Sequence, residues 1–254
     1  MQHSETAPVH RGKAYDKAKA AFERYEELCA PHVEVTGEIR IERVELRKQL
    51  DHWHSVKSKN DKAIGLMGKR YGNCSFDNYV ISNKDQEKVV TALREYAANT
   101  DANINEGRNV LLIGPKGTGK DHLLAALSRA VLMESGVWTE WRNGVDLLTR
   151  FHFDALNPKL HIDFWDEHED KKVTSVLYIS DPLPPTGELN PSSQKGMFEL
   201  VDSRYRAMEP IWMSMNVFDG AEAGQRMGEQ TVDRLKHNAL ILRCNWESYR
   251  RAGT

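Results

Sequence analysis

Apolar residues recur at steps of three and four early in the chain: Tyr15, Ala18, Phe22, Tyr25 and Cys29. That spacing makes one stripe of an amphipathic helix, which Pro31 ends. A second stripe, Ile39, Leu46, Leu50 and Trp53, predicts a helix over about 38–56. Joined through residues 31–37, the two form a small antiparallel pair. Its apolar stripe either meets a partner protein or packs on the rest of the chain. Residues 55–72 are rich in Lys, Ser and Gly and read as a linker. The basic side chains there (Lys57, Lys59, Lys62, Lys69 and Arg70) are either solvated or in touch with phosphates. Residues 1–12 are polar and aperiodic, a frayed tail.

The pattern then changes. A short aromatic stretch, Cys74-Ser-Phe-Asp-Asn-Tyr, precedes a helix over 85–98. Beyond it, apolar runs at 110–113, 137–141, 173–179, 211–215 and 239–243 read as strands. Helical stretches at 122–134, 143–153, 194–205 and 230–236 fall between them. Residues 157–172 are acidic and aromatic without a period. Strands alternating with helices imply an α/β fold, a parallel sheet covered on both faces with ligands at the strands' carboxyl ends.

Composition narrows the class. The 254 residues are 28% charged and 40% hydrophobic with a formal net charge of −2, ordinary for a globular protein. Residues 1–70 hold 14 Lys/Arg against 11 Asp/Glu, leaving 21 against 26 for the rest, too mild an asymmetry to imply a nucleic-acid surface. Cys29, Cys74 and Cys244 are far apart, so neither a zinc site nor a disulfide framework is indicated. A reducing, cytoplasmic compartment fits. The amino terminus has no apolar secretory core, and no apolar run is long enough to span a bilayer.

The chemistry gathers at one turn. After the apolar run 110–113 come Gly114, Pro115, Lys116, Gly117, Thr118, Gly119, Lys120, Asp121 and His122, and a helix follows at once. Strand, glycine-rich turn and helix amino terminus are the parts of a phosphate-binding loop. The glycines let backbone N–H groups curl round an anion, and Lys120 would reach the β- and γ-phosphates. Asp121 stands where a Ser or Thr hydroxyl usually holds magnesium. Two further positions lie at strand ends: Asp181, after the run 176–180, and Asn216, after 211–215. Each reads either as part of the hydrolytic machinery or as a strand-end turn residue.

Taken together, these segments resemble the replicative helicase loaders of the DnaC type, in the AAA+ ATPase superfamily and close to the helper ATPases of insertion-sequence transposition. The resemblance rests on Asn73-Cys-Ser-Phe-Asp-Asn-Tyr, the loop at 114–122, Asp202-Ser-Arg-Tyr, Met227-Gly-Glu-Gln-Thr-Val-Asp-Arg-Leu and the closing Asn245-Trp-Glu-Ser-Tyr-Arg. It implies an AAA+ P-loop NTPase domain over 71–254 and a helicase-binding helical segment with linker over 1–70. ATP and Mg²⁺ would be the cofactors; a replicative helicase, single-stranded DNA and further copies of the chain would be the partners. Lys120 would be the Walker A lysine and Asn216 the sensor I residue. Arg234 would be an arginine finger reaching a neighbouring subunit's nucleotide, and Arg250 the sensor II arginine.

One motif departs from the family. Its magnesium-holding Asp falls on Ser180 and its catalytic Glu on Asp181, with Pro182 next. Metal duty is therefore expected to pass to Asp121, with Asp181 beside it. For DNA, the nearest basic and aromatic cluster is Arg142, Arg150, Phe151, His152 and Phe153, which a helix with Phe on its core side would equally produce. Two alternatives stand beside the loader: a transposition helper ATPase, and an ATP-binding adaptor with little hydrolysis.

Overall fold

The computed structural model describes residues 13–137, 139–156 and 176–250. Its centre is set by β1 (Val110–Ile113), a four-residue apolar run buried at every position. Such a run cannot be satisfied by a sheet with one wet face, and β1 lies between two strands with helices on both sides. It pairs in parallel with β4 (Ile211–Met215) on one side and β5 (Leu240–Arg243) on the other. β3 (Val176–Ser180) and β2 (Thr139–Asn143) continue the sheet beyond β4, giving the order β2-β3-β4-β1-β5, parallel throughout.

Alternate side chains of each strand serve opposite cores, as the pleat requires. Val110, Leu112, Tyr178 and Trp212 join one cluster with α3 (Lys84–Ala98) and α5 (Lys120–Ser135). Leu111, Ile113, Leu177, Ile179 and Met213 join the other, with α7 (Pro191–Ala207), α8 (Gly220–Met227) and α9 (Glu229–Lys236). α4 (Thr100–Asn105) and α6 (Gly144–Leu156) complete the domain. α4 and α8, of six and eight residues, carry too few apolar positions for a period to show in the sequence. The expected tail at 1–12 and the stretch 157–172 lie outside the described residues.

The amino-terminal pair is α1 (Lys13–Cys29) and α2 (Gly37–Leu66), the latter capped by the Thr36 hydroxyl, which accepts from Ile39 N at 3.3 Å. α2 overturns the expected linker, for residues 55–66 remain helical. Its lower stripe is Val56, Asn60 and Ile64, four residues apart and all buried. The middle position is polar, which hides the stripe from a hydrophobicity pattern. The Asn60 amide oxygen accepts from Ser128 Oγ of α5 at 2.8 Å and Thr139 Oγ1 of β2 at 3.4 Å. The pair therefore docks on the sheet domain through both helices, α1 against α5 and α2 against α5 and β2. Replacing Asn60 with Ala removes the acceptor that the Ser128 and Thr139 hydroxyls share, leaving them only each other, and urea unfolding should show a loss of about 1–3 kcal/mol.

Among the described residues no helix is long and apolar enough to cross a membrane.

Candidate functional site

The loop after β1 is shaped by close approach. A Cβ on Gly114 (φ +145°) would lie 2.4 Å from the Cys244 carbonyl oxygen, where β5 passes. On Gly117 (φ +82°) it would lie 2.0 Å from Ser248 Oγ, and on Gly119 (φ +85°) 2.9 Å from the Tyr79 ring. Glycine is thus required both by conformation and by what lies overhead. Residues 245–250 and Tyr79 form a clasp on the loop's outer side. Trp246 Nε1 and Tyr79 OH both donate to the Thr118 carbonyl, at 2.9 and 3.1 Å. Tyr249 N donates to Gly117 O at 3.0 Å, while its hydroxyl donates to Val80 O and accepts from Gln86 Nε2 at 3.0 Å. The carbonyls are tied outward, and the loop is held in a fixed curve before any anion arrives.

A cavity of about 360 Å³ opens beside this loop. Lys116, Gly117, Gly119, Lys120, Asp121 and His122 line it, as do Asp181, Asn216 and Arg250. Gly114, Pro115 and Thr118 shape the turn instead; Thr118 is buried, with its hydroxyl donating to Pro115 O at 3.1 Å. His122 lies at the rim with Nε2 against Ser75 O at 3.0 Å, and burial lowers its pKa below the ordinary imidazole value.

Inside the cavity, Lys120, Asn216 and Asp181 form one chain. The buried Lys120 ammonium donates to Gly114 O, Pro115 O and Asn216 Oδ1 at 2.8, 2.7 and 2.9 Å. Asn216 Nδ2 then donates to Asp181 Oδ2 at 2.5 Å. The Asp181 backbone sits in the left-handed region (φ 49°), and its N–H is held by Ser214 O at 3.0 Å. Desolvation raises the Asp181 pKa above the usual carboxylate value, with the nearby Asp121 adding to it and Lys120 opposing. Desolvation likewise lowers the Lys120 pKa, countered by Cys244, Asp121 and Asp181.

Asp121 faces the end of β3. Its Oδ1 accepts from Ser180 Oγ at 3.0 Å, Tyr178 OH at 2.9 Å and Ser214 Oγ at 2.6 Å. The usual pairing of a helix hydroxyl with a strand carboxylate is thus present with its two partners exchanged.

Arg234 is not in this cavity. Its Nε donates to Asp202 Oδ1 at 2.7 Å, and its guanidinium lies 4.7 Å from the centre of the Phe198 ring. It borders a separate cavity of about 340 Å³ with Arg204, Tyr205 and His237. The Arg234 ion pair joins α9 to Asp202 of α7. Of the basic and aromatic cluster, Arg142 and Arg150 line one cavity, while Phe151 is half-buried, packing against the core beneath α7 with its ring against Gly196. His152 Nδ1 lies 3.3 Å from Ser192 Oγ, and the side chain of Phe153 lies outside the described residues.

Arg70, Tyr71, Asn78 and Tyr79 also line the cavity from the segment entering the sheet domain. Arg70 is one of the basic residues the sequence offers to phosphates, and Asn78 and Tyr79 end the segment at 73–79 that carries the resemblance; Tyr71 is a site residue without a sequence signal. Arg226 is another. Its guanidinium donates to Pro184 O, Gly187 O (2.9 Å) and Asn216 O (3.3 Å) and pairs with Glu222, stapling the proline-rich loop after Asp181 to the strand end carrying Asn216.

Comparison with known proteins decides the family. A model described as "IstB-like ATP binding protein" matches residues 74–253, the phosphate loop through the clasp. This chain belongs to that family. A replicative helicase loader DnaC from Buchnera aphidicola subsp. Baizongia pistaciae is 29% identical over 241 residues, 92% of this chain and 89% of the relative. The DnaC loader of Escherichia coli K12 is 26% identical over 91% of this chain and 89% of its own. A putative insertion sequence ATP-binding protein of Sinorhizobium fredii is 29% identical over 72% of this chain and 58% of its own length. Among solved structures, the DnaC helicase loader superposes with a TM-score of 0.57 at 22% identity, over 69% of this chain and 99% of that one. DnaI superposes at 0.52 and 18% identity, over 72% and 93%. The fold is that of the AAA+ P-loop ATPases, a DnaC-type domain, as the sequence resemblance implies.

Proposed function

We propose that this protein binds ATP with magnesium and uses the bound state to deliver a replicative ring helicase onto single-stranded DNA. The observation that carries the reading is the clasp formed by residues 245–250. The loader-type ending is not merely present; it is bonded to the carbonyls of Gly117 and Thr118 and brings Arg250 to the cavity. From there a guanidinium can fork onto γ-phosphate oxygens, opposite the loop amides and Lys120.

The donor set suits magnesium, which needs one or two carboxylates when phosphates and water supply the rest. Among the described residues no cluster of three or more His, Cys, Asp or Glu comes together. Asp121 and Asp181 are hard oxygen donors lining the cavity and would hold the ion. Magnesium there would neutralise charge on the β- and γ-oxygens. The chain's own groups do the rest. Lys120 exchanges its carbonyl partners for phosphate oxygens, and Asn216 keeps Asp181 pointed at the space where water would attack. Asp181 is one methylene shorter than glutamate, and a misplacement of this sort costs on the order of a hundredfold. Slow turnover is therefore part of the reading, as a loader that works mainly through its ATP-bound state would show.

The amino-terminal pair supplies a surface for the helicase. Ile41, Val44 and Val35, near the turn between α1 and α2, are 73%, 52% and 47% exposed. An apolar edge of this kind fits docking to a partner helix. Arg142 and Arg150 remain the DNA-facing candidates, and self-association would bring Arg234 to a neighbour's nucleotide.

The test is capture from a replication-competent lysate on the tagged full chain with ATP and magnesium. A ring helicase held only with nucleotide is the expected result. Recovery of a transposase instead would favour the transposition helper, which the Sinorhizobium relative keeps in view. Phosphate release that stays at background with single-stranded DNA and helicase present would assign the adaptor role.

A further inference from the structure

We infer that Tyr178 and Ser214 are positioning residues that orient the Asp121 carboxylate toward the metal. The inference rests on the reading that Asp121 holds magnesium and goes beyond it by naming what fixes that carboxylate.

The argument starts from the strands. Along β3, Leu177 and Ile179 enter one core, so Tyr178 and Ser180 emerge together on the opposite face, where α5 begins. On the neighbouring strand Ser214 is the register partner of Ser180. Three hydroxyls from two strands thus converge above the first turn of α5. All three donate to the same atom, Asp121 Oδ1, at 2.9 Å from Tyr178, 3.0 Å from Ser180 and 2.6 Å from Ser214. Among the described residues no hydrogen bond ends on Oδ2, and Asp121 lines the nucleotide cavity. The carboxylate is therefore pinned through one oxygen, with the other left to the ligand side.

The residue types argue for purpose. Tyr178 and Ser214 are buried strand positions that an aliphatic residue fills as well, and a buried hydroxyl without a partner is destabilising. Their hydroxyls find that partner in a single charged oxygen. Hydroxyl donors to a carboxylate are strong and directional. Groups that orient a metal ligand in this way are worth about 10–100-fold in metal affinity.

A fluorescent ATP analogue, titrated against the full chain in EDTA and over a range of magnesium concentrations, tests the inference. Tyr178→Phe and Ser214→Ala should each raise the magnesium needed for half-saturation by about tenfold, with binding in EDTA and the thermal melt unchanged. Ser214→Thr, which keeps the hydroxyl, should restore the wild-type requirement. If Asp121→Ala removes the magnesium response while Tyr178→Phe and Ser214→Ala leave it intact, Asp121 is a ligand without a brace and the inference fails. A magnesium response that survives Asp121→Ala overturns the metal reading itself, and this inference with it. Equal loss of binding in EDTA and in magnesium would show that the hydroxyls only shape the loop.

Discussion

Asp121→Ala should abolish magnesium-dependent ATP binding, while Ser180→Ala, like the loss of either other hydroxyl on Asp121, should raise the magnesium requirement only about tenfold. The usual site keeps its carboxylate on the strand and its hydroxyl on the helix. Here the two have changed places, and the bond between them survives at 3.0 Å. The strand member is consequently the weak donor. Removing Ser180 takes away one of three hydroxyls on Asp121 Oδ1; removing Asp121 takes away the charge. A metal clamp on phosphate oxygens is worth several kcal/mol, so the loss should exceed about a hundredfold in affinity. Isothermal titration of ATP with and without magnesium reads it directly. The double variant Asp121→Ser with Ser180→Asp restores the common arrangement and should recover binding that Asp121→Ala lacks. Strong magnesium dependence in Asp121→Ala, or its loss in Ser180→Ala, would put the metal elsewhere.

The second large effect concerns assembly. Arg234→Ala should leave ATP binding by a dilute protomer unchanged and cut the turnover that appears on self-association by about a thousandfold or more, the scale of an arginine finger acting in trans. The structure places Arg234 away from its own nucleotide cavity and on a surface shared with Asp202 and Phe198. Its ion pair is partly exposed, with side-chain exposures of 29% and 21%. Asp202 keeps Arg206 as a second partner, so it can release the Arg234 guanidinium to a phosphate without being left unpaired. Arg234→Lys should fail too, because an ammonium lacks the planar fork. Turnover measured against protein concentration checks the point: a variant that retains the concentration-dependent rise shows that Arg234 is a surface ion pair and no more.

Much of this could be read before any coordinates. The runs at 110–113 and 211–215 are apolar at nearly every position because they are buried on both faces, and their ends match the observed strands. The phosphate loop was legible because three glycines with positive φ leave few other uses. Other features stayed hidden for physical reasons. The lower half of α2 reads as a linker because its buried stripe passes through Asn60, whose burial depends on hydroxyls 68 and 79 residues away. Phe151 reads equally as a DNA platform or a core residue, because sequence does not distinguish an aromatic on the core side of a helix from one on the outer side. The cradle of Asp121 joins residues 57, 59 and 93 positions distant, each unremarkable alone. Arg226 acts on backbone carbonyls, which have no sequence signature at all. What a local pattern conveys is the element; what it withholds is the side-chain meeting between elements.

α2 has a mechanical consequence. Thirty helical residues at 1.5 Å each make a rod about 45 Å long. Its grip on the sheet domain lies low, at Val56 and Asn60, with Gly68 and the turn Lys69–Tyr71 leading straight from its foot to the cavity wall at Arg70 and Tyr71. A rod held near one end is a lever. From Asn60 to Gly37 the arm is about 35 Å, so a tilt of about 5° sweeps the far end through about 3 Å. That distance is enough to make or break a side-chain contact. A tilt of that size begun at Tyr71 would reach Ile41 as a change in what it touches.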